Sequence, residues 1–178
     1  MSEGVGAAWP IELALHELGR GAVERRLIAE GPSLERIARA VGVDALKSLE
    51  ADLRIRSWLD GAEIDGRWSA VAVQTCGITL EPFETRLAGE LGIRAVPTGS
   101  VALATESEHD LDLDPEADDP PDELVDGVLH LGAYVVEDLS LAVDPFPRKP
   151  GVAFEAPPAD AEPSPFAVLA RLKEKGEG

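Results

Sequence analysis

Leu49-Glu50-Ala51-Asp52-Leu53-Arg54-Ile55-Arg56 decides the fold. Apolar and charged residues alternate along it with a period of two, the pattern of a strand with one face buried and one in water. Asp60-Gly61 supplies a turn signal, and Trp68–Thr75 continues as a partner strand. Phe83, Thr85, Leu87, Gly89 and Leu91 then alternate with Glu84, Arg86 and Glu90, giving a third strand. Sequential strands with short connections predict an antiparallel meander, with Cys76–Pro82 as the corner between its last two members.

Outward from this sheet the signals are shorter. Trp9–His16 alternates Ile11, Leu13 and Leu15 against Glu12 and His16 and reads as a first strand. Val23–Ala29 follows through the Gly19-Arg20-Gly21 turn. Ser33 is placed to cap a short helix carrying Leu34, Ile37, Ala38 and Val41, which Gly42 ends. Val128–Leu131 reads as a short added strand. Ala133–Val143 reads as a helix with Val135, Leu139 and Ala142 on one face, and with Glu137 and Asp138 outward or as capping neighbours. Pro145 and Pro147 stop it. The expected class is α+β: an antiparallel sheet with two or three short helices and a disordered acidic loop. One domain covers residues 1–155. Residues 156–178 form a Pro/Ala/Asp/Glu linker and a last helix opened by Ser164-Pro165, with Phe166, Leu169, Ala170 and Leu172 as its stripe.

The net charge of −18 is uneven. Eleven acidic residues and no Lys or Arg lie in the span 105–126, which leaves −7 for the remainder. That span is poor in apolar residues and holds Pro115, Pro120 and Pro121, so the expectation is a disordered loop. It serves either as a solubilising insertion or as an acidic arm for a basic partner. The single cysteine, Cys76, suits a reducing compartment. With no signal-peptide pattern at the start and no apolar run long enough to span a bilayer, the expected location is cytoplasmic, away from membranes.

Two segments carry a resemblance. Gln74–Phe83 contains Cys76-Gly77-Ile78-Thr79-Leu80-Glu81-Pro82. Gly127–Gly151 contains Glu137-Asp138-Leu139, Asp144-Pro145 and Phe146-Pro147-Arg148-Lys149-Pro150. As a pair they resemble the bacterial YceD-like family, the large ribosomal RNA subunit accumulation proteins. The resemblance implies a role in keeping large-subunit ribosomal RNA at normal levels. Many members carry paired cysteines suited to zinc. Here Thr79 stands at the second cysteine position of the turn, and Phe146–Gly151 holds no cysteine. His16, His109 and His130 lie in three different segments, so the expectation is a metal-free branch with no cofactor. Cys76 itself reads as a small apolar filler.

Catalytic signatures are missing. The sequence has no G-x-S-x-G elbow, H-E-x-x-H pair, Walker loop or G-x-G-x-x-G, so no enzymatic role is expected. Arg20, Arg25 and Arg26 form a basic cluster and Arg54 and Arg56 share a strand face, yet the overall charge disfavours direct contact with ribosomal RNA. The expected function is a factor in large-subunit ribosome biogenesis whose partner is a ribosomal protein, an assembly factor or a pre-large-subunit particle. An acidic adaptor or chaperone-like protein that binds a basic partner unrelated to RNA is the alternative. Candidate partner-binding residues are Glu81, Pro82, Asp138, Asp144, Pro145, Arg148 and Lys149, on the rim where a strand turn and a helix exit can meet. Pro147–Gly151 reads equally as a rigid connector.

Overall fold

In the computed structural model the described residues are 5–19, 21–101 and 120–154. A short helix α1 (Val5–Ala8) precedes β1 (Leu13–Ala14), and β2 (Val23–Ile28) leads into α2 (Pro32–Val41). Three long strands follow: β3 (Ala45–Trp58), β4 (Gly61–Thr75) and β5 (Pro82–Pro97). The described chain then forms β6 (Asp122–Leu124), β7 (Val128–Leu129) and α3 (Leu131–Ala142). Five strands make one sheet in the order β2-β3-β4-β5-β6, and β1 pairs with β7 in a separate ribbon. Every pairing is antiparallel except β5 with β6. The protein is α+β.

The alternation read from 49–56 is the alternation of the sheet. Leu49, Ala51, Leu53 and Ile55 are buried beneath the helices, and the charged residues between them face water. On β4 the inward set is Ile64, Gly66, Trp68 and Ala70, placed opposite those β3 residues by the register, with Ala72 opposite Leu46. Helix α2 packs against β3 through Ile37, Ala38 and Val41, while α3 buries Val135, Val136 and Leu139 on the β5 side. Small inward residues leave room at the centre for Trp68. Its indole N–H donates to Asp138 Oδ2 at 2.5 Å and so ties β4 to α3. Gly89, paired with Trp68, makes this possible, since a Cβ there would lie 2.5 Å from the Asp138 oxygen. At its other end α3 meets the Trp9 backbone through Gly132, where a Cβ would sit 2.0 Å from the Trp9 carbonyl oxygen.

The outer face of the sheet is left to charged residues in rows. Arg26, Asp52, Arg67 and Glu90 stand side by side across four strands, and Glu24, Arg54 and Asp65 form the next row. In a third row Glu63 accepts from Arg56 at 2.7 Å and from Arg94 at 3.4 Å. Opposite charges on adjacent strands attract and like charges repel, so these rows favour the observed register.

Several expectations are corrected. Trp9–His16 is not a strand: only Leu13 and Ala14 pair, and Leu15–Glu17 turns as a 3-10 helix. Trp9 is buried against α3 instead, because a large ring gains more there than in a sheet edge. Gly31 occupies the N-cap position of α2, and Pro32, not Ser33, opens the helix. Asp138 points inward to Trp68 rather than outward, and Ala142 is exposed. The acidic span is not unstructured throughout. Asp122–Leu124 adds a strand parallel to Ala95–Pro97, with Leu124 only 3% exposed, so the sheet departs from a pure meander. A leucine that reaches the core offsets the ordering of the residues beside it. Residues 105–119 of that span and all of 156–178 lie outside the described residues.

Leu124→Ala should therefore destabilise the protein by about 2–3 kcal/mol, read from urea denaturation. An unstructured acidic loop would instead leave the midpoint unchanged.

Candidate functional site

The corner between β4 and β5 is a compact turn. Cys76 N–H donates to the Glu81 carbonyl at 2.9 Å and Leu80 N–H to the Cys76 carbonyl at 2.9 Å. Closing the turn forces Leu80 into the left-handed region, φ +59°. Its side chain is 76% exposed.

The second segment leaves α3 along a path that meets this corner. Asp144 Oδ1 accepts the Phe146 N–H at 2.8 Å, which bends the chain, and Pro145 and Pro147 stiffen it. Three contacts then clamp the segments together. The Pro147 carbonyl accepts from Gly77 N–H at 2.9 Å, the Lys149 N–H donates to Cys76 Sγ at 3.4 Å, and the Lys149 ammonium pairs with Glu81 at 3.0 Å. A fourth bond, from Gln74 Nε2 to the Asp144 carbonyl at 3.0 Å, anchors the helix exit to the end of β4.

The sequence candidates divide accordingly. Glu81, Pro82, Asp144, Pro145, Arg148 and Lys149 lie at this junction. Asp138 does not; it is half-buried at Trp68, a turn and a half back along α3. Glu81 and Lys149 satisfy one another, so among the described residues Arg148 is the junction's exposed cation with no ion pair. Sequence reasoning missed the apolar part of the surface. A groove of about 670 Å³ opens beside the junction, walled by Ile78, Leu80, Phe146, Pro147 and Phe154. Phe146 and Phe154 are 79% and 71% exposed. No sequence signal marks it: of the four phenylalanines, Phe83 and Phe166 follow a proline just as Phe146 does.

Cys76 is more than a filler. It is fully buried, yet its sulfur sits among donors. The Lys149 N–H foremost, then the hydroxyl and amide of Thr79 and the amide of Ile78, outweigh burial and bring the thiol down to about 6. These donors occupy the approaches to the sulfur that a metal would need. No group of three or more His, Cys, Asp or Glu suited to a metal exists among the described residues. The residues present do not fit the zinc of the YceD-like proteins.

The basic cluster resolves differently. Arg26, Arg54 and Arg67 do converge in one basin on the outer sheet face, but Glu24, Asp52, Asp65 and Glu90 line the same basin, while Arg25 pairs with inward-facing Leu53 and takes the opposite face of the strand. Opposite charges cancel there, and no net positive patch results. Arg20 lies outside the described residues. No helix among the described residues is long and apolar enough to cross a membrane. Compared with known protein families, characterised proteins and solved structures, the chain matches none.

Two measurements test this reading of Cys76. Metal analysis should find far less than one zinc per chain, with a thermal midpoint indifferent to chelator. A thiol whose pKa is lower folded than unfolded stabilises fully above the unfolded value of about 8.5, and that contribution is lost as pH falls through about 6. The stability difference between wild type and Cys76→Ser should accordingly widen in favour of wild type as pH rises across this window.

Proposed function

We propose that this chain is a non-enzymatic, cytoplasmic factor in large-subunit ribosome biogenesis that holds a protein or ribonucleoprotein partner on the surface formed by 76–83 and 144–154. Leu80 carries the argument. Its side chain buries little, and the left-handed backbone costs a non-glycine residue about 1–2 kcal/mol. Leu59, in the β3–β4 turn, is exposed in the same left-handed conformation; what sets Leu80 apart is its place in the wall of the groove beside Phe146 and Phe154, where a partner can cover it. Phe146 and Phe154 extend the same exposed apolar surface, and Arg148 stands at its edge. The two segments that form it are the two that resemble the YceD-like proteins, which supports the ribosomal reading. A ribosomal protein, an assembly factor or a pre-large-subunit particle suits a chain of net charge −18 better than bare RNA does.

Leu80→Gly should raise stability by up to about 1 kcal/mol while weakening partner binding. Arg148→Ala should leave stability within about 0.5 kcal/mol and weaken binding more at low salt than at high. Gradient sedimentation of cell extracts reads both variants. Wild type should travel with large-subunit precursors and the variants should shift to light fractions. A wild-type protein found only in light fractions, with another stoichiometric basic partner, would replace this reading by the acidic-adaptor one.

A further inference from the structure

The groove beside the 76–83 corner is apolar on a molecule whose surface is largely charged. Ile78, Leu80, Phe146, Pro147 and Phe154 wall it, and among the described residues that line it Arg148 is the one charged side chain. The basin on the outer sheet face, by contrast, is lined by carboxylates and guanidinium groups. Two exposed phenylalanines and an exposed leucine around one groove form a surface that gains by being covered. The described residues end at this groove, since Phe154, the last of them, is part of its wall.

The sequence that follows carries an apolar pattern of its own. Within 155–178 the four large apolar side chains, Phe166, Val168, Leu169 and Leu172, all fall in seven residues. At helical spacing they and Ala170 share one side of a helix opened by Ser164-Pro165, and Arg171, Glu174 and Lys175 take the other. Lys173 falls within the stripe, where its long stem can lie along apolar surface with the ammonium in water. A helix of about ten residues is marginal in water by itself, so this one needs a surface on which to form. Residues 155–163 hold no large apolar side chain and reach at most about 30 Å when extended. They are a tether that starts at the groove wall and keeps the stripe within range of it. Residues 164–175 also carry three basic residues against one acidic, on a chain of net charge −18, so the body attracts them.

We propose that residues 164–173 of this same chain fold back as a helix over the groove, and that a partner takes the groove by displacing them. Phe166 and Leu169 are the side chains that enter it. A short tether holds the segment at an effective concentration of about 1 mM, so a segment that binds in trans at about 0.1 mM fills the groove in about nine molecules of ten. A partner must then compete, and its apparent affinity falls in proportion to the fraction of molecules with the groove open. The inference deepens the functional reading above and rests on it only for which partner displaces the segment. The docking itself stands on the groove, the stripe and the tether.

The test uses the full chain, nitrogen-15-labelled, and as probe a synthetic peptide of residues 164–175. The double variant Phe166→Ser with Leu169→Ser leaves the charge unchanged and touches none of the described core. In it the backbone signals of Gly77, Ile78, Leu80 and Phe154 should move, while those of Asp52 and Arg67 on the outer sheet face stay. Adding the peptide should return the moved signals toward their wild-type positions. The peptide should bind wild type about tenfold more weakly than the variant, because the resident segment competes for the groove. Unmoved groove signals in the variant, equal peptide binding to both proteins, or peptide shifts away from the groove would each overturn the proposal. So would wild-type signals that approach the variant's on dilution, which would put the segment of a second copy in the groove. No ribosomal component is present, so failure here leaves the sedimentation result standing, and the reverse.

Discussion

The bond from Trp68 to Asp138 is the constraint on which the rest depends. It is a hydrogen bond to a charged acceptor, one of the stronger kinds, placed where the middle of the sheet meets the middle of α3. Only a glycine at position 89 leaves space for it. Once α3 is held at this point, its exit reaches the end of β4, where Gln74 donates to the Asp144 carbonyl. From there two prolines carry the chain back onto the 76–81 corner. A helix free to slide along the sheet would break each of these later contacts. The rim is therefore positioned from the core outward.

The charges divide by place. The outer sheet face carries many, but alternates their sign in rows, so the field it projects is small despite the composition. At the rim the alternation stops. Among the described residues Glu81 and Lys149 neutralise one another, Arg148 has no ion pair, and on the neighbouring side no cation pairs with Asp44 or Asp144. One edge of the molecule thus offers apolar, cationic and anionic features within a short distance. That mixture discriminates among partners better than a uniformly acidic surface does.

Much of the sheet was legible because its physics is local. A period of two over 49–56, and again over 83–91, identifies strands regardless of what they pair with. Gly42 likewise announced the left-handed end of α2, φ +77°. What failed were features decided by distant residues. Nothing near Asp138 shows that an indole seventy positions earlier will claim it. Leu124 sits in a stretch whose composition opposes order, and only the open edge of β5 gives it a place. At the rim, the meeting of the two segments could be anticipated from their being a strand turn and a helix exit. The groove could not, because an exposed phenylalanine and a buried one look alike in sequence.

The pairing of β1 with β7 has a consequence for how the chain comes to be folded. Leu13 and Leu129 face each other across the ribbon, and Trp9 lies on Gly132. The hairpins β3-β4 and β4-β5 close over short separations and can form as soon as their residues exist. The amino-terminal strap cannot close until residues 128–132 have been synthesised. During translation Trp9 and Leu13 must therefore wait, exposed, while more than half of the protein is made. Chaperones and nascent-chain contacts would act on that interval, and substitutions at Trp9 or Gly132 would lengthen it as well as weaken the finished fold.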